Sequence, residues 1–189
     1  MSEKKDVKII AFVGMSGSGK SVAVEYLTEK GYPKVYFGGM ILKGVKEKGW
    51  EINEENEKRF REEIRKTEGN DWVVRQVIKE TDKLIEAGQK RIVLDGLYSW
   101  TEYKELKKAF PGMLTVVAVV LPKRIRYKRV GKREIRPLNV TEVRERDAAE
   151  IENLEKGGPI AAADYFILNS KTMKEFHEDL DKVLSEIDF

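Results

Sequence analysis

Gly14-Met15-Ser16-Gly17-Ser18-Gly19-Lys20-Ser21 satisfies every fixed position of the pattern G-x-x-x-x-G-K-[ST]. Glycines let the backbone curl until successive N–H groups point at one centre, and a helix opening at Lys20 adds unpaired N–H groups and a positive dipole end. That arrangement receives phosphate oxygens. Lys20 is expected to reach the β and γ phosphates of a nucleoside triphosphate, with Ser21 as a ligand of Mg2+. Gly14, Ser16, Gly17, Ser18 and Gly19 supply the rest of the cradle. A chance match would need four fixed residues to coincide between a strand pattern and a helix pattern.

Asp95 closes the apolar run Ile92-Val93-Leu94. At the C-terminal edge of a strand beside the P-loop, its carboxylate is placed to hold the Mg2+ shell. Eight of the fourteen residues from Lys123 to Arg136 are basic and only Glu134 is acidic. Arg126, Arg129, Arg133 and Arg136 follow one another at helical spacing, which puts them on one side of a helix. Guanidinium groups there would stabilise charge on a migrating phosphoryl group. Arg129 and Arg133 are assigned that role, Arg126 and Arg136 stand between it and a solvated helix, and Lys123, Arg124, Lys128 and Lys132 read as solvated.

Other polar and aromatic residues have simpler readings. His177 lies alone in a charged terminal helix and reads as a surface residue. Trp50, Trp72 and Trp100 suit packing at the core's rim. Arg59, Arg61 and Arg65 sit among acids on a charged helix and read as its solvated face, with one of them open to an acceptor's phosphate.

The elements that must position these groups follow from periodicity. Val7 to Val13 predicts a strand, Ser21 to Lys30 a helix stopped by Gly31 and Pro33, and Val35 to Phe37 a second strand. Helical patterns follow at about 40–48, 53–67 and 71–87, with Asn53 and Asp71 as N-caps. Arg91 to Leu94 predicts a third strand, and Ser99 with Glu102 a capping box opening a helix to about Ala109. Leu114 to Leu121 is a continuous apolar run, as in a strand buried on both faces, followed by the basic helix and a loop over 132–139. Val140 to Glu155 predicts a helix broken at Gly157-Gly158-Pro159. Tyr165 to Leu168 predicts a fifth strand, and Thr172 with Glu175 caps the last helix. Strands alternating with helices predict an α/β fold with a parallel sheet covered on both faces.

Composition sets the bounds. The chain has 189 residues, 41% of them hydrophobic, which suits a single domain. Its 36 basic and 33 acidic residues leave a formal charge of +3, weak support for a nucleic-acid partner. The absence of cysteine excludes disulfides and thiolate metal sites and suits a reducing compartment, so a cytoplasmic location is expected. No apolar run approaches spanning length, so no membrane partner is expected.

The order of P-loop, helical insertion, Leu94-Asp95-Gly96-Leu97, Arg-rich helix and loop, Arg146-Asp147 and Ala163-Asp164-Tyr165-Phe166-Ile167-Leu168-Asn169 resembles the nucleoside monophosphate kinase-like branch of P-loop phosphotransferases. It is most similar to dephospho-CoA kinase and to archaeal nucleotide-kinase-like proteins. The resemblance implies a five-stranded parallel sheet of order 2-3-1-4-5, an acceptor-binding insertion at about 38–88 and a short lid at about 130–140. It implies that Arg129 and Arg133 close over ATP phosphates and that Asn169 borders the adenine. Two positions depart from the pattern: Gly38-Gly39 stand where relatives carry an aspartate suited to deprotonating an acceptor hydroxyl, and Leu97-Tyr98-Ser99 where relatives carry an arginine. The expected activity is Mg2+-ATP-dependent phosphorylation of a small nucleotide-like acceptor. The alternatives are dephospho-CoA kinase-like activity and a nucleotide-binding switch or slow ATPase. A guanine-reading Asn-Lys-x-Asp is missing, since the corresponding stretch reads Asn169-Ser170-Lys171-Thr172.

Overall fold

The computed structural model describes residues 6–134 and 137–189. Five strands, β1 (Lys8–Val13), β2 (Lys34–Tyr36), β3 (Arg91–Asp95), β4 (Leu114–Val120) and β5 (Tyr165–Leu168), form one sheet of order β2-β3-β1-β4-β5. Every pairing is parallel. The expected architecture is the observed one. Each parallel connection needs a crossover, supplied by the helices α1 (Lys20–Glu29), α2 (Phe37–Glu47), α3 (Glu54–Thr67), α4 (Trp72–Glu86), α5 (Trp100–Ala109), α6 (Lys123–Gly131), α7 (Val140–Glu152) and α8 (Gly157–Ala161), while α9 (Met173–Glu186) follows the last strand.

Strand alternation sorts the core into two layers. Ile9, Ala11 and Val13 point to the face covered by Val74 and Val77 of α4 and Leu106 and Phe110 at α5. Ile10 and Phe12 point to the other, under Ala23, Val24 and Leu27 of α1 and Phe176, Leu180 and Leu184 of α9. Each such fully buried side chain contributes about 2 kcal/mol by leaving water. A third cluster of Ile41, Val45 and Phe60 holds α2 and α3 together, with Gly44 letting the Phe60 ring lie against the α2 backbone. Phe12 pairs in register with Asp95, which levels Asp95 with the start of the P-loop.

Several local expectations change. Phe37 opens α2 instead of ending β2, because Phe37, Ile41 and Val45 fall on one buried helical face that outweighs the poor propensity of Gly38 and Gly39. The Gly157-Gly158-Pro159 break is itself a short helix, α8, with Pro159 in its first turn, where a missing N–H costs nothing. Asp71 stands at the cap position of α4 but caps nothing: its carboxylate takes Arg75 at 2.7 Å instead. Asn139 forms an unforeseen capping box with Glu142 at the start of α7. The basic helix stops at Gly131 with Lys132 as its C-cap, so Arg133 does not continue the helical row of Arg126 and Arg129. Arg136 and part of the expected lid lie outside the described residues. Among the described residues no helix is long and apolar enough to cross a membrane.

Candidate active site

The P-loop leaves β1 at Val13 and enters α1 at Lys20. Gly17 and Gly19 take φ values of +83° and +108°, in the left-handed region that other residues rarely adopt. A Cβ at Gly17 would stand 2.6 Å from Val130 Cγ2, so the loop lies tight against α6. No side chain caps α1 and no acid occupies its first turn, which leaves its N-terminal donors to an anion. The Ser18 hydroxyl is buried and, among the described residues, its oxygen has no hydrogen-bond partner. Ser21 is exposed in the helix's first turn.

Lys20 folds back over the loop, its Nζ donating to the carbonyls of Gly14 at 2.6 Å and Met15 at 3.2 Å. Burial first, then the charges of Lys156, Arg133 and Arg146, push its pKa from 10.5 down to about 7, against the opposing pull of Glu150. Four cations thus converge with few acids between them. Such a surplus destabilises the empty site and is relieved by an anion.

A second layer of charge, not assigned a role from the sequence, holds the loop from behind. Arg126 is buried, donates to the Ser16 carbonyl at 2.9 Å and forms a two-pronged pair with Asp147 at 3.0 and 2.6 Å. The Tyr127 hydroxyl donates to the same carboxylate at 3.1 Å. Arg126, undecided from sequence, is therefore a support of the loop. One turn on, buried Glu150 accepts from the Ser16 amide at 3.3 Å, from Lys156 at 2.8 Å and from Arg146 at 3.2 Å. Burial alone would raise the Glu150 pKa, but Lys156 and Arg146 hold it below the ordinary carboxylate value. Lys156 is almost fully buried, and its ammonium lies 4.8 Å from the centre of the Tyr98 ring. Val143, Asp147 and Glu150 share one buried face of α7; spacings of three and four were the signal for this layer, lost among the charges of that helix.

The other named residues gather unequally. Asp95 is half-buried at the end of β3, its pKa raised by burial and drawn down by Lys34, 3.8 Å away, and by Lys20. Arg133 has its pKa lowered by burial, then by Arg146. It is exposed beyond the end of α6, and its charge acts on Lys20. Arg129 is half-buried in the last turn of α6, and among the described residues no hydrogen bond or ion pair joins its side chain to the P-loop. Asn169 is buried against the loop, its amide donating to the Ser18 carbonyl at 2.8 Å and its side chain filling the space that a Cβ on Gly19 would need. The donor set of the Ser21 hydroxyl and the Asp95 carboxylate suits Mg2+ carried by phosphate oxygens. Among the described residues there is no three-acid cluster able to hold an ion unaided.

A cavity of about 670 Å³ opens between α2, α3 and the start of α5, with Phe37, Ile41, Ile64 and Trp72 in its walls. Arg61 and Arg65, assigned to a solvated face, line it as well, along with Asn70 and Tyr98. Arg59 instead stacks on Trp50 with its guanidinium 4.3 Å from the ring centre. The tryptophans pack as expected, Trp72 edge-on to Phe60 and Trp100 stacked on Tyr103. His177 stacks on Tyr26 with ring centres 4.0 Å apart. Burial, then the Asp95 charge, pushes the Tyr98 phenol up to about 12, so it stays a neutral donor at neutral pH.

Residues 10–155 match the family model described as an AAA domain. A UPF0200 protein of Methanosarcina mazei is 34% identical over 181 residues, covering 95% of each chain. A UPF0200/UPF0201 protein of Archaeoglobus fulgidus is 30% identical over 184 residues, and there the match takes 96% of this chain but only 56% of the relative, so the chain spans little more than half of that protein. Among solved structures, TT1252 from Thermus thermophilus superposes with a TM-score of 0.62 at 21% identity, over 95% of this chain and 97% of that one. Dephospho-CoA kinase from Campylobacter jejuni gives 0.56 at 15% identity, over 96% and 98%. At such identities these structures establish the fold alone.

Proposed function

The chain belongs to the UPF0200 family and carries its P-loop kinase-like domain, and on that premise we propose that it is a Mg2+-ATP-dependent phosphotransferase acting on a small, nucleotide-like acceptor. The observation that carries this reading is the junction of two features. A loop with surplus cations and uncapped donors is linked, through Glu150, Lys156 and the Tyr98 ring 4.8 Å from the Lys156 ammonium, to a cavity with apolar walls and two guanidinium groups. The first suits a triphosphate. The second suits a flat organic body bearing an anion.

In this reading the P-loop amides and Lys20 grip the β and γ phosphates, and Arg133 and Arg129 lie over the transferring group from the lid side. Mg2+, held by Ser21 and Asp95 with phosphate oxygens, would neutralise charge on the β and γ phosphates. Phosphoryl transfer through a loose transition state demands positioning more than a strong base. That suits a site with Gly38-Gly39 in place of an aspartate. In the same reading Asp95 would orient the acceptor hydroxyl, with the neutral phenol of Tyr98, on which its charge acts, as a donor.

The test is a coupled assay with Mg-ATP against nucleoside monophosphates, nucleosides and dephospho-CoA. Transfer to one anionic acceptor is expected. ATP hydrolysis at an unchanged slow rate with every acceptor would instead make the protein a nucleotide-dependent switch.

A further inference from the structure

Glu150 occupies an unusual place for a carboxylate. It lies on α7, 134 residues from Ser16 in sequence, yet it accepts a hydrogen bond from a P-loop amide. It is buried, and its partners Lys156 and Arg146 act, together with Arg133, on Lys20. Its charge thus sits on an amide of the phosphate cradle and between two cations, Lys156 and Arg146. Two anions cannot share those cations without strong repulsion in a partly dry site.

We propose that the Glu150 carboxylate is an internal stand-in for the terminal phosphate, one that a triphosphate must displace from the Ser16 amide. This rests on the reading of the loop as a triphosphate site. In the empty protein the stand-in satisfies Lys156, whose burial would otherwise leave an unpaired charge. When the terminal phosphate enters, it takes over Lys156 and Arg146, and Glu150 withdraws with α7. The diphosphate carries no such group, so Glu150 keeps its place. The exchange thus sets how sharply the protein tells triphosphate from diphosphate, and it ties occupancy of the loop to the helix that follows the lid.

The experiment is calorimetric titration of the wild type, Glu150→Gln and Glu150→Asp with Mg-ATP, Mg-ADP and inorganic tripolyphosphate. Glu150→Gln keeps the side chain's shape without its charge. Glu150→Asp keeps the charge that pairs Lys156, protecting the fold, but is one bond too short to stay on Ser16. Both are expected to bind ATP and tripolyphosphate more tightly, by about tenfold for Gln and less for Asp, with ADP affinity changed less than about threefold. Affinities for tripolyphosphate at or below the wild-type value in both variants would overturn the proposal and make Glu150 a plain support of its cations. Wild-type protein that takes tripolyphosphate but no nucleotide would refute the nucleotide reading while leaving the stand-in intact.

Discussion

Around the P-loop, charged side chains are buried and paired, as where Arg126 and Asp147, 8% and 12% exposed, brace the Ser16 carbonyl. Along the cavity, Arg61 is 38% exposed and, among the described residues, is paired only with Glu57 at 3.5 Å, and Arg65 is exposed. A buried pair fixes geometry because removing either partner strands the other in a poor solvent, whereas an exposed arginine is free to adapt. One side of the cleft is thus built in advance for a ligand that does not vary. The other is left adjustable, and on the proposed reading the acceptor would be selected there.

The largest expected effect tests that contrast on stability. Asp147→Ala strands the Arg126 guanidinium and should cost about 3–5 kcal/mol in urea unfolding, whereas Arg65→Ala should stay within about 0.5 kcal/mol of wild type. Equal losses would erase the distinction. Next comes the lid side. On the proposed reading, in which their charge acts only as transfer proceeds, Arg133→Ala and Arg129→Ala should each lower kcat about a hundredfold in single-turnover kinetics while ATP affinity changes little. Arg133, with its charge felt at Lys20, is the stronger case. Rates within about twofold of wild type for both would return them to solvent.

On the adjustable side, Arg61→Ala or Arg65→Ala should raise KM for the anionic acceptor about tenfold with kcat nearly kept. A fall in kcat with KM constant would move these residues into the chemistry. A further effect is protonic. Lys20 has a folded pKa of about 7 against 10.5 ordinarily, so the unfolded chain binds a proton that the folded one lacks, and the apo protein should gain stability as pH rises from 7 towards 10. Bound phosphates restore the proton, so ATP affinity should fall over the same range. Calorimetry at pH 8 in two buffers of different ionisation enthalpy should show uptake of up to one proton; proton release would reverse the sign.

What the sequence disclosed followed from how local each signal is. Gly14 to Ser21 is a contiguous pattern, and the strands are short apolar runs bounded by turns, so both were legible, as was the Ser99–Glu102 capping box. Glu150 and Lys156 were not, because their meaning depends on a contact with Ser16 across most of the chain. The row from Arg126 to Arg133 misled because helical spacing was carried through Gly131, where the helix ends. Arg61 and Arg65 looked solvated because their own helix is crowded with acids, and only the packing of α2 and α5 around them makes a wall.

The central claim is that Lys20 and the loop amides hold the phosphates of a nucleoside triphosphate. Titration of the wild type and Lys20→Ala with Mg-ATP tests it most directly. The wild type should bind, and the variant should bind at least about a hundredfold more weakly while unfolding at the same denaturant midpoint or a higher one, since it sheds a buried cation. Equal affinity in the two proteins would contradict the account.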